Sequence, residues 1–177
     1  PRLWGSTAVI NALEDLGYVA DASYPLYFYE DQPVPYHPSA DDWTRQGNLS
    51  ILEIPNFADM GMESSDRYGR DRDQWPVFRT ESAAALMDHI DSFIEYADRL
   101  GIPPVLCFYM HPWEFEQMPE KYHYGEGTVV PDPFLIKNCG QYAVKQLVEL
   151  IRLLKSRNAS FMTARELAAQ WDEIAGE

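Results

Sequence analysis

The sequence predicts an α/β protein assembled from parallel strand–helix units, of the kind that make up part of a (β/α) barrel. Segments of strand character alternate with amphipathic helical segments along the chain. The run Val105-Leu106-Cys107-Phe108-Tyr109-Met110 is apolar without interruption, the pattern of a strand covered on both faces in a parallel sheet. No internal repeat or low-complexity tract points to another architecture.

Ser6 can cap a first helix in which Val9, Ile10, Leu13 and Leu16 share a face and Gly17 supplies the left-handed stop. Tyr18-Val19-Ala20-Asp21 follows as a strand, ended by Asp21, Ser23 and then Pro25. Residues 24–36 mix prolines with Tyr24, Tyr27, Phe28, Tyr29 and Tyr36 too irregularly for either period, which predicts a long loop. A second strand is expected over 49–54, stopped by Pro55 and Asn56, and residues 62–75 alternate charges as a solvated surface loop does. Thr80 opens a helix through Leu86, Met87, Ile90, Phe93, Ile94, Ala97 and Leu100, which Gly101 and Pro103 end. His111 then stands at the C-terminal end of the apolar strand 105–110. Beyond another loop, 138–157 is expected as a helix with Leu147, Val148, Ile151 and Leu154 inward, and 160–162 as a short strand. Thr163-Ala164-Arg165-Glu166 is a capping box that starts a last helix through Leu167 and Trp171.

A chain of 177 residues with 46% hydrophobic side chains fits one domain with a substantial core. Its net charge of -14 repels both nucleic-acid phosphates and anionic lipid, so neither is an expected partner. The longest apolar run is far short of the roughly 18 residues that cross a bilayer, which excludes a spanning helix. Aromatic residues make up 14% of the chain, as stacking on sugar rings or a ring-rich core would each require. Cys107 and Cys139 form no Cys-x-x-Cys pair and are expected as buried thiols. The first residues carry no leader pattern, and the chain is expected to be cut from a longer one.

In α/β barrels the C-terminal ends of the strands and the loops after them build the site. Asp21, His111 and Glu114 have that placing. A histidine there can pass a proton near neutral pH when a carboxylate such as Asp21 holds its other ring nitrogen; it can equally be a histidine satisfied by a backbone carbonyl. Asp21 can hold that imidazole or simply turn the chain after its strand. Trp113 and Glu114 can wall a sugar site or start a turn, Glu114 then favouring the helix dipole. His37, His89 and His123 lack ligand spacing and are assigned to no metal. No Gly-x-Ser-x-Gly elbow, phosphate loop or dinucleotide fingerprint occurs.

Taken together, Pro1-Arg2-Leu3-Trp4, the stretch Leu16-Gly17-Tyr18-Val19-Ala20-Asp21-Ala22-Ser23, Tyr109-Met110-His111-Pro112-Trp113-Glu114 and Phe161-Met162-Thr163-Ala164-Arg165-Glu166-Leu167 resemble the NodB-homology polysaccharide deacetylases. The resemblance spans nearly the whole chain and implies that residues 1–177 are the C-terminal part of one such domain, a distorted (β/α) barrel. It implies removal of N- or O-acetyl groups from an acetylated glycan with a divalent metal, commonly zinc, whose ligands lie in motifs upstream of Pro1. Pro1 would close the third motif and the Arg2 N–H would face the oxyanion. Asp21 would orient the catalytic histidine, His111 would protonate the leaving amine or alcohol, and Trp113 would contact the sugar. Tyr109 stands where the family usually has Leu, which alters the acetyl pocket. The segment by itself is expected to be inactive.

Two rivals predict different behaviour. A non-catalytic carbohydrate-binding or interaction domain would use the aromatic stretch 24–36, and a glycosidase would use paired carboxylates such as Glu53 and Glu114 without a metal.

Overall fold

The computed structural model describes residues 7–176, so Ser6, and with it the expected cap of the first helix, lies outside the described residues. The chain divides into two compact units, one built from residues up to Gln74, Ile90–Phe108 and Phe161 onward, the other from Trp75–His89 and Tyr109–Ser160.

In the first unit, α1 (Thr7–Asp15) ends where Gly17 takes φ 77°, as the sequence requires. The Glu14 carboxylate accepts the Ser50 N–H (3.0 Å), the Ser50 hydroxyl (2.7 Å) and the Ile51 N–H (2.8 Å), which fastens α1 to the approach of the second strand. Strands β1 (Ala20–Asp21) and β2 (Leu52–Glu53) pair in parallel, with Ala20 opposite Leu52 and Asp21 opposite Glu53. The Leu52 N–H donates to Val19 O (3.0 Å) and the Ile54 N–H to Asp21 O (2.8 Å). On its other edge Glu53 exchanges both backbone hydrogen bonds with Tyr36.

Residues 24–36, expected as a long loop, are irregular apart from one short turn, but their rings go inward. They contain a helical turn, α2 (Leu26–Tyr29), and Tyr24, Tyr27 and Tyr36 are buried. The Tyr24 ring lies 5.2 Å from Tyr29, 5.7 Å from Tyr36 and 5.8 Å from Trp43, and the Tyr36 hydroxyl donates to the Trp43 carbonyl (2.8 Å). These rings are core, because the backbone pairing of Tyr36 with Glu53 turns the segment inward. Residues 62–75 are likewise ordered. Asp71 gathers the Ser64 hydroxyl and the N–H groups of Ser65 and Asp66, and Gly69, at φ 67°, passes so close to the Tyr27 carbonyl that no side chain fits there.

The residues expected as a strand over 105–110 lie outside any strand ladder. Residues 105–108 are half-buried and make one backbone bond to the β2 side, from the Phe57 N–H to Cys107 O (2.8 Å). The strand expected over 160–162 is also absent, and Phe161 and Met162 face solvent. An apolar run makes a strand only where a neighbouring backbone lies along it. After 162 the sequence reading holds: α7 (Ala164–Ala175) opens with the Thr163–Glu166 capping box, the Glu166 N–H donating to Thr163 Oγ1 and the Thr163 N–H to Glu166 Oε2 (2.7 Å). Its Trp171 packs on Leu52 and Ile54, with Val105, Cys107 and Leu167 around them.

Thr80 ends a separate turn, α3 (Val77–Thr80), and the long helix α4 (Ala83–Leu100) starts after Ser82, whose hydroxyl accepts the Ala85 N–H (3.1 Å). In the second unit a 3-10 turn (Pro112–Phe115) precedes an antiparallel hairpin of β3 (Tyr122–Tyr124) and β4 (Gly127–Val129), then α5 (Pro133–Ile136) and α6 (Gln141–Ser156). α6 buries Ala143, Leu150 and Leu154, whereas Val148, expected inward, is exposed. The stripe runs 143, 147, 150, 154, and Val148 falls beside it.

Trp171→Ala empties the space between α7 and β2 and is expected to cost about 3–5 kcal/mol. A urea titration checks this; a loss below roughly 1 kcal/mol would mean that α7 is not docked there.

Candidate functional site

In the second unit, His111 is extended (φ -105°, ψ 134°) and Pro112 starts the 3-10 turn that follows. The turn is fastened by Glu114. Its N–H donates to the His111 carbonyl (3.0 Å), its Oε1 accepts the His111 N–H (3.0 Å), and its carbonyl accepts the Gly140 N–H (2.9 Å). Its Oε2 accepts Arg79 Nε at 3.1 Å, and the two side chains are only 2% and 3% exposed. Arg79 Nη1 also donates to the carbonyls of Phe134 (3.1 Å) and Lys137 (2.6 Å).

Above this buried pair the side chains are open. The Arg79 guanidinium lies 5.6 Å from the Trp113 ring, and the His111 imidazole stacks on Trp113 at 5.3 Å with 13° between the planes. The edge of Tyr109 meets His111 at 5.4 Å. His111 is exposed and Trp113 half-buried, so a titratable ring is held on an aromatic platform in contact with solvent. Glu114, by contrast, is an anchor rather than a wall of the site. Sequence reasoning missed its partner, because Arg79 is 35 residues away in a segment without a motif.

In the first unit, Asp21 ends β1 half-buried, and its register partner Glu53 is 0% exposed. Glu53 Oε1 accepts the N–H groups of Ser23 (2.9 Å) and Tyr24 (2.8 Å). Burial first, then the charge of Asp21 and a hydrogen bond with it, push the Glu53 carboxyl up to about 9. Burial, with Glu53 and Asp21 nearby, raises the Cys107 thiol to about 11, which leaves it inert as a nucleophile. Glu53 Oε2 and Asp21 Oδ2 are both sealed from water and face no fixed donor, a need that one proton between the two groups satisfies. The sequence signal for this pair was only that each residue ends a strand.

Asp21 and His111 belong to different units, and Pro1 and Arg2 lie outside the described residues. His37 Nδ1 lies 3.1 Å from the Ile51 carbonyl and His123 Nδ1 3.0 Å from Thr128 Oγ1, local contacts of an ordinary structural kind. Among the described residues no three His, Cys, Asp or Glu side chains are grouped to hold a metal ion. An open groove of about 350 Å³ in the first unit is lined by residues 16–20, Ala164 and Arg165. Among the described residues no helix is long and apolar enough to cross a membrane. Compared with known proteins, the chain matches no protein-family model, no curated protein and no solved structure.

Arg79→Met removes one partner of a buried pair and strands the other, at an expected cost of about 3–5 kcal/mol, while the double variant Arg79→Met/Glu114→Leu recovers part of it. Denaturant unfolding of the three proteins checks this, and equal losses in single and double variants would argue that the pair does not couple. Glu53 gives a pH dependence. Its carboxyl is raised from 4.5 in a free chain to about 9 when folded, so between these values the folded chain binds more protons than the unfolded one. Stability therefore falls as pH rises through that window. Melting temperature is expected to decline from about pH 5 to about pH 8, and Glu53→Gln to decline less; parallel curves would refute the assignment.

Proposed function

We propose that this chain is the C-terminal part of a NodB-type deacetylase domain, a distorted (β/α) barrel that removes acetyl groups from a polysaccharide or amino sugar, with His111 as the proton donor. The observation that carries this reading is the exposed His111 imidazole stacked on Trp113, on a turn that Glu114 and Arg79 fasten from beneath. The parallel pairing of β1 and β2, with Cys107 bonded to Phe57 shortly after β2, accords with a barrel segment. The exposed Leu16, Val19, Phe161 and Met162 are apolar side chains that a complete barrel would cover.

In this reading His111 gives a proton to the departing amine or alcohol as the acyl bond breaks, the task of a general acid. The Trp113 indole offers a flat face against which a sugar ring can stack. The family resemblance gives Asp21 the task of orienting that imidazole. The same resemblance implies a divalent metal, commonly zinc, but the described residues do not fit one: they supply no three-ligand group, and Glu53, neutral at physiological pH, is a poor donor beside Asp21. The contribution proposed for this chain is proton donation and sugar contact.

The aromatic rings of 24–36 that would bind sugar are mostly buried, and the carboxylates a glycosidase would need, Glu53 and Glu114, are 0% and 3% exposed.

The test is acetate release from acetylated amino-sugar oligomers by the full-length protein with a divalent metal supplied. His111→Ala is expected to lower kcat/KM by about 10²- to 10⁴-fold. Undiminished release by the variant would remove His111 from the mechanism, and tight oligosaccharide binding without any acetate release would favour a binding module.

A further inference from the structure

We infer that Glu53 is a positioning residue, a neutral carboxylic acid sealed in the first unit that donates its proton to Asp21 and fixes that carboxylate at the C-terminal end of β1. The inference deepens the proposed function, and its relevance to deacetylation rests on that reading.

The register of the two strands comes first. Asp21 and Glu53 are directly opposite in a parallel pair, so their side chains leave the same face of the ribbon. Glu53 cannot swing away, because its Oε1 holds two backbone N–H groups, those of Ser23 and Tyr24, and the side chain has no access to water. That leaves Oε2 buried and without a donor, beside an Asp21 whose Oδ2 is in the same condition. Two bare carboxylates in this position would repel each other across a water-free gap. One proton converts the repulsion into a short, charge-assisted hydrogen bond.

The proton resides on Glu53 because its surroundings disfavour charge more strongly. Tyr24, Tyr36 and Cys107 face it from the flanking segments, and none carries a positive charge. Asp21 as a residue is only half-buried, whereas Glu53 is fully buried. The product is a carboxylate at a strand end whose rotamer is set from behind, which is what a group that must orient another side chain requires.

Substitution by glutamine discriminates this role from an ionised one. A Gln amide can accept the Ser23 and Tyr24 N–H groups through its oxygen and donate to Asp21 through its nitrogen, as a protonated Glu does, whereas it cannot replace a charged Glu. The experiment combines thermal melting with infrared spectroscopy on the full chain at neutral pH. Wild type is expected to show the absorption of a protonated carboxyl group. That band should vanish in Glu53→Gln, and in Asp21→Asn it should titrate at a pH lower by roughly one unit or more. Glu53→Gln is expected to melt within roughly 3 °C of wild type, and Glu53→Ala, which strands two buried N–H groups, roughly 5 °C or more below it. Absence of the band in wild type, an unchanged titration in Asp21→Asn, or a Gln variant as unstable as Ala would each overturn the inference. None of these readouts depends on acetate release, so a failure here is distinguishable from a failure of the deacetylase proposal.

Discussion

A carboxyl group sealed from water is tolerated in a core only when its oxygens find donors and its charge finds compensation or is removed. Glu53 meets that constraint in a way that organises the first unit. Its backbone joins Tyr36 on one side of β2, its register partner on the other side is Asp21, and its Oε1 draws in the N–H groups of Ser23 and Tyr24. The irregular stretch from 22 to 36 is thereby pinned at both ends to one residue. The aromatic rings that this folding brings together, Tyr24, Tyr36 and Trp43, exclude the water that would otherwise let Glu53 ionise. The same seclusion holds the phenol groups of Tyr24 and Tyr36 well above the ordinary range, so both rings stay uncharged beside Glu53.

The second unit solves the corresponding problem with an opposite charge. Glu114 is as deeply buried as Glu53, but its neighbour is a guanidinium, which also satisfies two carbonyls at the end of α5. Glu53 has an acidic neighbour and accommodates it with a proton. Two glutamates that look alike at strand or loop ends in the sequence therefore have opposite electrostatic characters, decided by partners 32 and 35 positions away in the chain.

Those separations explain what the sequence could and could not reveal. Signals confined to a few residues were legible: the Gly17 stop and the Thr163–Glu166 capping box correspond to what the chain forms, and the apolar periods of α4 and α6 do so except at Leu100 and Val148, which are exposed. The apolar composition of 105–110 was legible as a need for burial, but a ladder requires a second backbone, and no residue within the run encodes whether one is present. The Tyr-rich stretch 24–36 was opaque for the same reason. Its prolines broke every local period, and only the bridge from Tyr36 to Glu53 determines that its rings go inward. His111 and Trp113 were found because they sit next to each other around Pro112; Arg79 and the pairing of Asp21 with Glu53 were missed because tertiary register alone creates them.

The placing of His111 bears on the proton-donor role proposed for it. Proton transfer depends on the donor being held within a fraction of an ångström of its target, and a histidine on a mobile loop forfeits much of that advantage. Here the backbone on both sides of the ring is fixed by the two bonds between His111 and Glu114, and the ring plane is fixed by Trp113. Arg79 links the two constraints, bonding Glu114 through its Nε while its guanidinium carbon lies 5.6 Å from the Trp113 ring. A disturbance at Arg79 would therefore tilt the platform and loosen the turn together. That coupling gives the buried Arg79 a direct hold on the geometry of the exposed imidazole, in a place where packed apolar residues would have served stability alone.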